Sequence, residues 1–102
     1  MDIAISVGGV PIRMTTERWS HISKGHPEIA PYYDETLETI EHPDYVYQGT
    51  NNELLAVKSF TNSLRISIVV VYKETSNEDG FVITAYISSR KINRIIVWQA
   101  QK

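Results

Sequence analysis

The sequence predicts an α+β domain, on three observations. Helical periodicity is confined to the first half of the chain, between residues 15 and 42. Alternating apolar runs with short polar loops fill the second half. No repeat, linker or low-complexity stretch interrupts the 102 residues, a length that one domain fills around its own core. The whole of 1–102 is therefore expected to be a single domain.

The elements follow in order. Ile3, Ile5 and Val7 alternate with smaller or polar residues, and Val10, Ile12 and Met14 do so after Gly8-Gly9. Two such runs joined at a glycine pair predict a β-hairpin. Pro11 makes the second run short or an edge. Thr15 is the expected N-cap of a first helix, with Met14 and Trp19 as the apolar pair that staples its entry. Gly25 and the His26-Pro27 step end it. A second helix is expected from about Pro31 to Glu41. Pro31 suits a first helical position, Asp34 and Glu35 suit the positive end of the dipole, and Tyr33, Leu37 and Ile40 recur at helical spacing. His42-Pro43 stops it.

Strands come next. Tyr45–Tyr47 is short. Leu54 to Phe60 and Leu64 to Lys73 are longer, separated by Thr61-Asn62-Ser63. The acidic loop Glu74–Gly80 leads to Phe81–Ser88, and Ile95–Trp98 is a last strand or a packed tail. Short polar loops between neighbouring strands favour antiparallel pairing.

Composition narrows the function classes. The chain has no cysteine, which excludes disulfides and thiolate metal sites. The N-terminus lacks the features of a signal peptide and no apolar run is long enough for a membrane, so a cytoplasmic protein without membrane contact is expected. A formal charge of −2 argues against a generic nucleic-acid coat but not against a local basic cleft.

Imidazole is suited to proton transfer near neutrality, and two of the three histidines, His21 and His26, fall around the end of the first helix. His21 points well away from Trp19 on the helix, towards a cleft or towards plain solvent. His26 is either a functional group or a local helix stop. His42, in Glu-His-Pro, is a helix stop. The i,i+5 spacing of His21 and His26 and the lack of cysteine argue against zinc. In the strands, Phe81, Ile83, Ala85 and Ile87 are expected to form the core face and Val82, Thr84, Tyr86 and Ser88 the other. Arg65 and Ser67 precede in the neighbouring strand and are expected to share that second face. Lys58 alternates with Leu54, Ala56 and Phe60 and is either a cation for the site or a snorkelling edge residue.

These parts suit metal-free cleavage of RNA. The ribose 2′-hydroxyl attacks the adjacent phosphate, a base and an acid move protons, and cations and hydroxyls steady the phosphate charge. Arginine grips phosphate with two bonds, and an aromatic ring such as Tyr86 can stack on an unpaired base.

The segment Ile12-Arg-Met-Thr15, continuing through Trp19-Ser-His21-Ile22-Ser-Lys-Gly25-His26-Pro27-Glu28, resembles the opening of the phage-associated barnase–EndoU–colicin–RelE-like (BECR-fold) nucleases. Thr39-Ile-Glu-His-Pro-Asp44, the strand Phe81-Val-Ile-Thr-Ala-Tyr86 and the tail Arg90–Trp98 are similar too, so the likeness spans about residues 10 to 98. It implies N-terminal helices packed on a four-stranded antiparallel sheet, with RNA cut on the open face and no cofactor. It further implies His21 as first choice for acid or base and His26 as second, with Thr84 as hydroxyl donor and Tyr86 beside it. Lys58 and Arg65 as phosphate-holding cations rest mainly on the facing argument. Ser88 and Arg90 complete the expected substrate contacts. The expected function is thus a toxin-like or phage-derived ribonuclease acting on single-stranded RNA, with an antitoxin or other inhibitor protein as a second partner. The alternative is a catalytically inactive RNA- or protein-binding module of the same fold.

Overall fold

The computed structural model describes residues 1–61 and 65–101. The expected loop residues Asn62 and Ser63 and the expected strand start at Leu64 lie outside the described residues.

The first helix forms as its capping residues dictate. The Thr15 hydroxyl accepts from Arg18 N at 3.0 Å, and α1 runs Thr16–Gly25. Met14 is fully buried and Trp19 packs against the core. His26 N donates to Ile22 O at 2.8 Å, and Pro27–Ile29 then make one 3-10 turn. That turn displaces the second helix: Tyr32 N bonds Ile29 O, and α2 spans Tyr33–Glu41, leaving Pro31 outside it. The buried residues of α2 are Thr36, Thr39 and Ile40. The two threonine hydroxyls donate to Tyr32 O and Glu35 O at 2.7 and 2.8 Å, which lets them enter an apolar core.

The sheet is larger than expected. β1 (Asp2–Ile5) and β2 (Pro11–Met14) form the hairpin; β3 (Tyr45–Gln48), β4 (Leu54–Phe60), β5 (Ile66–Glu74) and β6 (Gly80–Ile87) form an antiparallel meander; β7 (Ile96–Gln99) follows. All seven strands join one mixed sheet in the order β1-β2-β6-β5-β4-β3-β7. The expectation of four antiparallel strands is corrected on two counts. β2 lies parallel to β6 through Ile12↔Gly80 and Arg13↔Phe81, and β7 adds antiparallel to β3. Ile12 and Met14 are fully buried, so the hairpin has to close on the core. Gly80 makes the close approach feasible: a Cβ there would stand 2.5 Å from Lys73 O and 2.6 Å from Ile12 Cδ1. Arg13 locks the junction with two bonds to the Asp79 carboxylate at 2.8 and 3.2 Å.

One sheet face, carrying Ala56, Ile68, Val70, Tyr72, Val82 and Ala85, packs with Ile22, Ile29 and Ile40 of the helical layer. The β5–β6 register shifts at Val71/Tyr72, from Val71↔Thr84 to Tyr72↔Val82, so Ile83 is an extra residue in a β-bulge. This corrects the expected core row of Phe81, Ile83, Ala85 and Ile87: Val82 takes the inward place, and Phe81 and Ile83 are half-exposed. Thr84 and Tyr86 lie on the far face, as expected, opposite Val71 and Val69.

That far face is not bare. Ser88 N donates to Ser67 O at one end of the meander, and Gln48 N donates to Ile95 O at the other. Residues 88–95 must therefore cross four strand spacings, about 19 Å, while travelling most of a strand's length. Eight residues reach about 28 Å, enough only for a diagonal path across a face. The helices hold the other face, so this strap crosses the one bearing Thr84 and Tyr86. Val69 and Val71 are accordingly only 1% and 9% exposed with no helix over them, and Ile92 is half-buried within the strap.

Candidate nucleic-acid interface

Charge is segregated along the chain. Residues 54–73 and 80–101 contain Lys58, Arg65, Lys73, Arg90, Lys91 and Arg94, and none of the chain's 12 acidic residues. A net-negative protein thus builds its central strands and strap from segments that carry positive charge alone.

His26 leaves α1 at its C-terminus, and the 3-10 turn behind it packs on β6. Its ring centroid lies 5.6 Å from that of Tyr86, with the planes tilted by 36°. Nδ1 is 3.6 Å from Glu28 Oε2, so one edge of the imidazole faces a carboxylate. The side chain is 41% exposed and open to a ligand.

Two residues along β6, about 7 Å away, a polar pocket begins. Its wall is Ser59, Thr61, Arg65, Ile66 and Ser67, around a hollow of about 340 Å³. Ser59 Oγ and Ser67 Oγ are 3.0 Å apart. Ser88 pairs beside Ser67 and its hydroxyl accepts from Arg90 N at 3.1 Å, which turns the chain into the strap. Arg65 holds a left-handed backbone, φ +54°, a conformation costly for an arginine and common where a residue is placed for a ligand. The pocket thus offers one arginine, Arg65, and several hydroxyls, donors suited to a phosphate.

The other expected site residues lie elsewhere. His21 is exposed in a cleft of about 230 Å³ lined by Thr15, Glu17, Arg18 and His21, and Thr84 forms no part of its wall. Arg18 reaches across to Ile83 O in the bulge at 3.4 Å. Lys58 pairs with Ile68 and so belongs to the helix side of the sheet. Its ammonium donates to His42 O at 2.9 Å and stands 3.9 Å from Glu38 Oε2, closing the C-terminus of α2. It is not on the face of Thr84 and Tyr86, which corrects its expected place in the phosphate site. The structure brings His26 to Tyr86, sets Ser88 beside Ser67 of the pocket that Arg65 lines, and places Thr84 on the same sheet face as Tyr86.

Three neighbours escaped the sequence argument: Glu28, Ser59 and Thr61. The acid-free tracts were the available signal for the pocket; Glu28, within the Gly-His-Pro-Glu segment, could have been tied to His26 by its two-residue spacing alone. Among the described residues no three of His, Asp and Glu converge as a metal-ligand set, and no helix is long and apolar enough to cross a membrane. No family model matches the chain, and neither curated proteins nor solved structures yield a match.

Proposed function

We propose that this domain is a metal-independent endoribonuclease acting on single-stranded RNA, with a BECR/RelE-like arrangement of helices on the β3–β6 meander. The observation that carries the reading is the His26–Tyr86 pair, set one strand step from a pocket lined by Arg65, Ser59 and Ser67. A scissile phosphate in that pocket is held by Arg65 and Arg90. Tyr86 offers its ring to an unpaired base and its hydroxyl to the reacting group.

Attack of the 2′-hydroxyl on phosphorus breaks the P–O5′ bond and leaves a 2′,3′-cyclic phosphate and a 5′-hydroxyl. His26 takes the proton from O2′, and the Glu28 carboxylate, 3.6 Å from Nδ1, favours the imidazolium that results. The proton for O5′ comes from Tyr86 or from water, and Thr84 donates to a nonbridging oxygen. His26, rather than His21, is the imidazole of choice, because it touches Tyr86.

The test is purified chain with mixed-sequence single-stranded RNA in excess EDTA, with the product ends identified chemically. Cyclic phosphate ends support the proposal; intact RNA across mildly acidic to mildly basic pH refutes it. The second reading is a passive RNA binder, favoured by the acid-free strap, which needs no chemistry to hold a phosphate backbone. RNA binding that falls steeply with salt, without cleavage, selects it.

A further inference from the structure

β2 and β6 run parallel, and they part early. They are paired at Ile12↔Gly80 and Arg13↔Phe81. β2 ends at Met14 and the chain turns through Thr15 into α1, while β6 runs on to Ile87. From Val82 onward β6 therefore has a strand beside it on the β5 side alone. A crevice opens where neighbouring parallel strands diverge, a common seat for a ligand. Here it consists of two adjoining hollows that share Thr15 and Arg18. One, of about 230 Å³, has His21 and Glu17 on its wall; the other, of about 180 Å³, has Arg13 and Phe81.

The cations of this crevice are not equivalent. Arg13 is spent on the Asp79 carboxylate and forms a fixed wall. Arg18 is exposed, touches Ile83 O at 3.4 Å, and pairs with no carboxylate among the described residues. His21 is exposed too, and Glu17 forms an ion pair with neither of them. One helical turn sets the Cβ atoms of Arg18 and His21 about 5–6 Å apart, so a guanidinium and an imidazole reach one hollow together. Phe81 is half-exposed at the adjoining hollow. The crevice also leads towards the face described above. α1 runs beside β6 in the same direction: Arg18 meets Ile83 O near the start of the helix, and the His26 ring meets Tyr86 just past its end. The two points are about 12 Å apart along the helix axis.

We propose that this crevice is a flanking subsite for single-stranded RNA, with a phosphodiester between Arg18 and His21 and a neighbouring base on Phe81. The inference rests on the nuclease reading for where the chain is cut, and it gives His21 the work of holding substrate rather than of moving a proton. A guanidinium grips two oxygens of one phosphate, and an exposed aromatic ring takes a base of any identity. A free phosphate uses the cations and leaves Phe81 without a role.

The test uses the full chain in EDTA with a 2′-O-methyl hexanucleotide, whose blocked 2′-oxygen prevents cleavage. Binding is read from the ring-proton signals of the histidines, with His21→Gln to assign His21, and from fluorescence anisotropy of the labelled oligonucleotide. The expected result is a saturable shift of the His21 signals. Affinity is expected to weaken about tenfold or more in Arg18→Gln. It is expected to weaken about fivefold or more in Phe81→Leu, which removes the ring but no charge. An oligonucleotide that leaves the His21 signals unmoved up to about 1 mM overturns the proposal. So does an unchanged affinity in either variant, or an equal His21 response to inorganic phosphate alone. The unmodified hexanucleotide separates the two readings. Cleavage without the His21 response overturns the subsite and leaves the nuclease standing; the response without cleavage supports the subsite and sinks the nuclease.

Discussion

Replacing Lys58 by alanine separates a structural lysine from a catalytic one. The ammonium donates to His42 O at 2.9 Å, at the C-terminal end of α2, and the side chain is only 21% exposed. A charged hydrogen bond of this kind contributes about 1.5–3 kcal/mol, and part of that already reflects the favourable end of the helix dipole. The Glu38 contact, at 3.9 Å with a carboxylate half in solvent, adds close to nothing. Water reaches His42 O once the lysine is gone, so the lower part of the range applies, about 1.5–2 kcal/mol. With a urea slope of about 1.5 kcal/mol/M for a chain of this size, the unfolding midpoint is expected to fall by about 1 M. Lys58→Met, which keeps the stem beside Phe60, is expected to lose most of the same amount. RNA cleavage by folded Lys58→Ala is expected to stay near the wild-type rate. An unchanged midpoint together with lost cleavage would refute this reasoning and return Lys58 to the phosphate site.

Other substitutions probe separate joints. Gly80→Ala puts a methyl group 2.5 Å from Lys73 O, a backbone atom fixed in the β5–β6 ladder, so a loss of about 1–3 kcal/mol or more is expected in urea unfolding. Tyr72→Phe removes a buried hydroxyl that bonds nothing, and the melting temperature is expected to rise. The Tyr33 phenol, pushed up to about 12 by burial and by its 2.6 Å bond to the Asp2 carboxylate, holds its proton more tightly folded than unfolded. Its contribution is therefore complete below about pH 10 and is lost as pH rises towards 12. Alkaline unfolding of Tyr33→Phe is expected to lack that component.

The local grammar of this chain is legible from its sequence, and the long-range joins are not. Thr15, Met14 and Trp19 announce α1 because capping and stapling are contacts within one turn. Leu54–Phe60 and the apolar run from Ile66 announce two central strands because their length and β-branched content leave few alternatives. The parallel seat of β2 on β6 rests on two residue pairs, and β7 reaches β3 only after the strap crosses the sheet, so neither leaves a local trace. The bulge at Ile83 was hidden because Phe81-Val82-Ile83 is apolar throughout and carries no alternation to reveal a slip. Lys58 is the instructive case. Its alternation with Leu54, Ala56 and Phe60 already places it on the core face by strand parity. The pairing of His26 with Tyr86 depends on how one 3-10 turn packs against a strand about 60 residues later, which spacing cannot express.

The central claim is that the His26 imidazole, set against Tyr86, moves a proton during RNA cleavage. The most direct measurement is the single-turnover cleavage rate of His26→Ala beside the unaltered chain, in EDTA, with matching circular dichroism as the control for folding. A rate lower by about a hundredfold to ten-thousandfold is expected, with RNA binding largely kept. Equal rates in the two proteins would contradict the assignment.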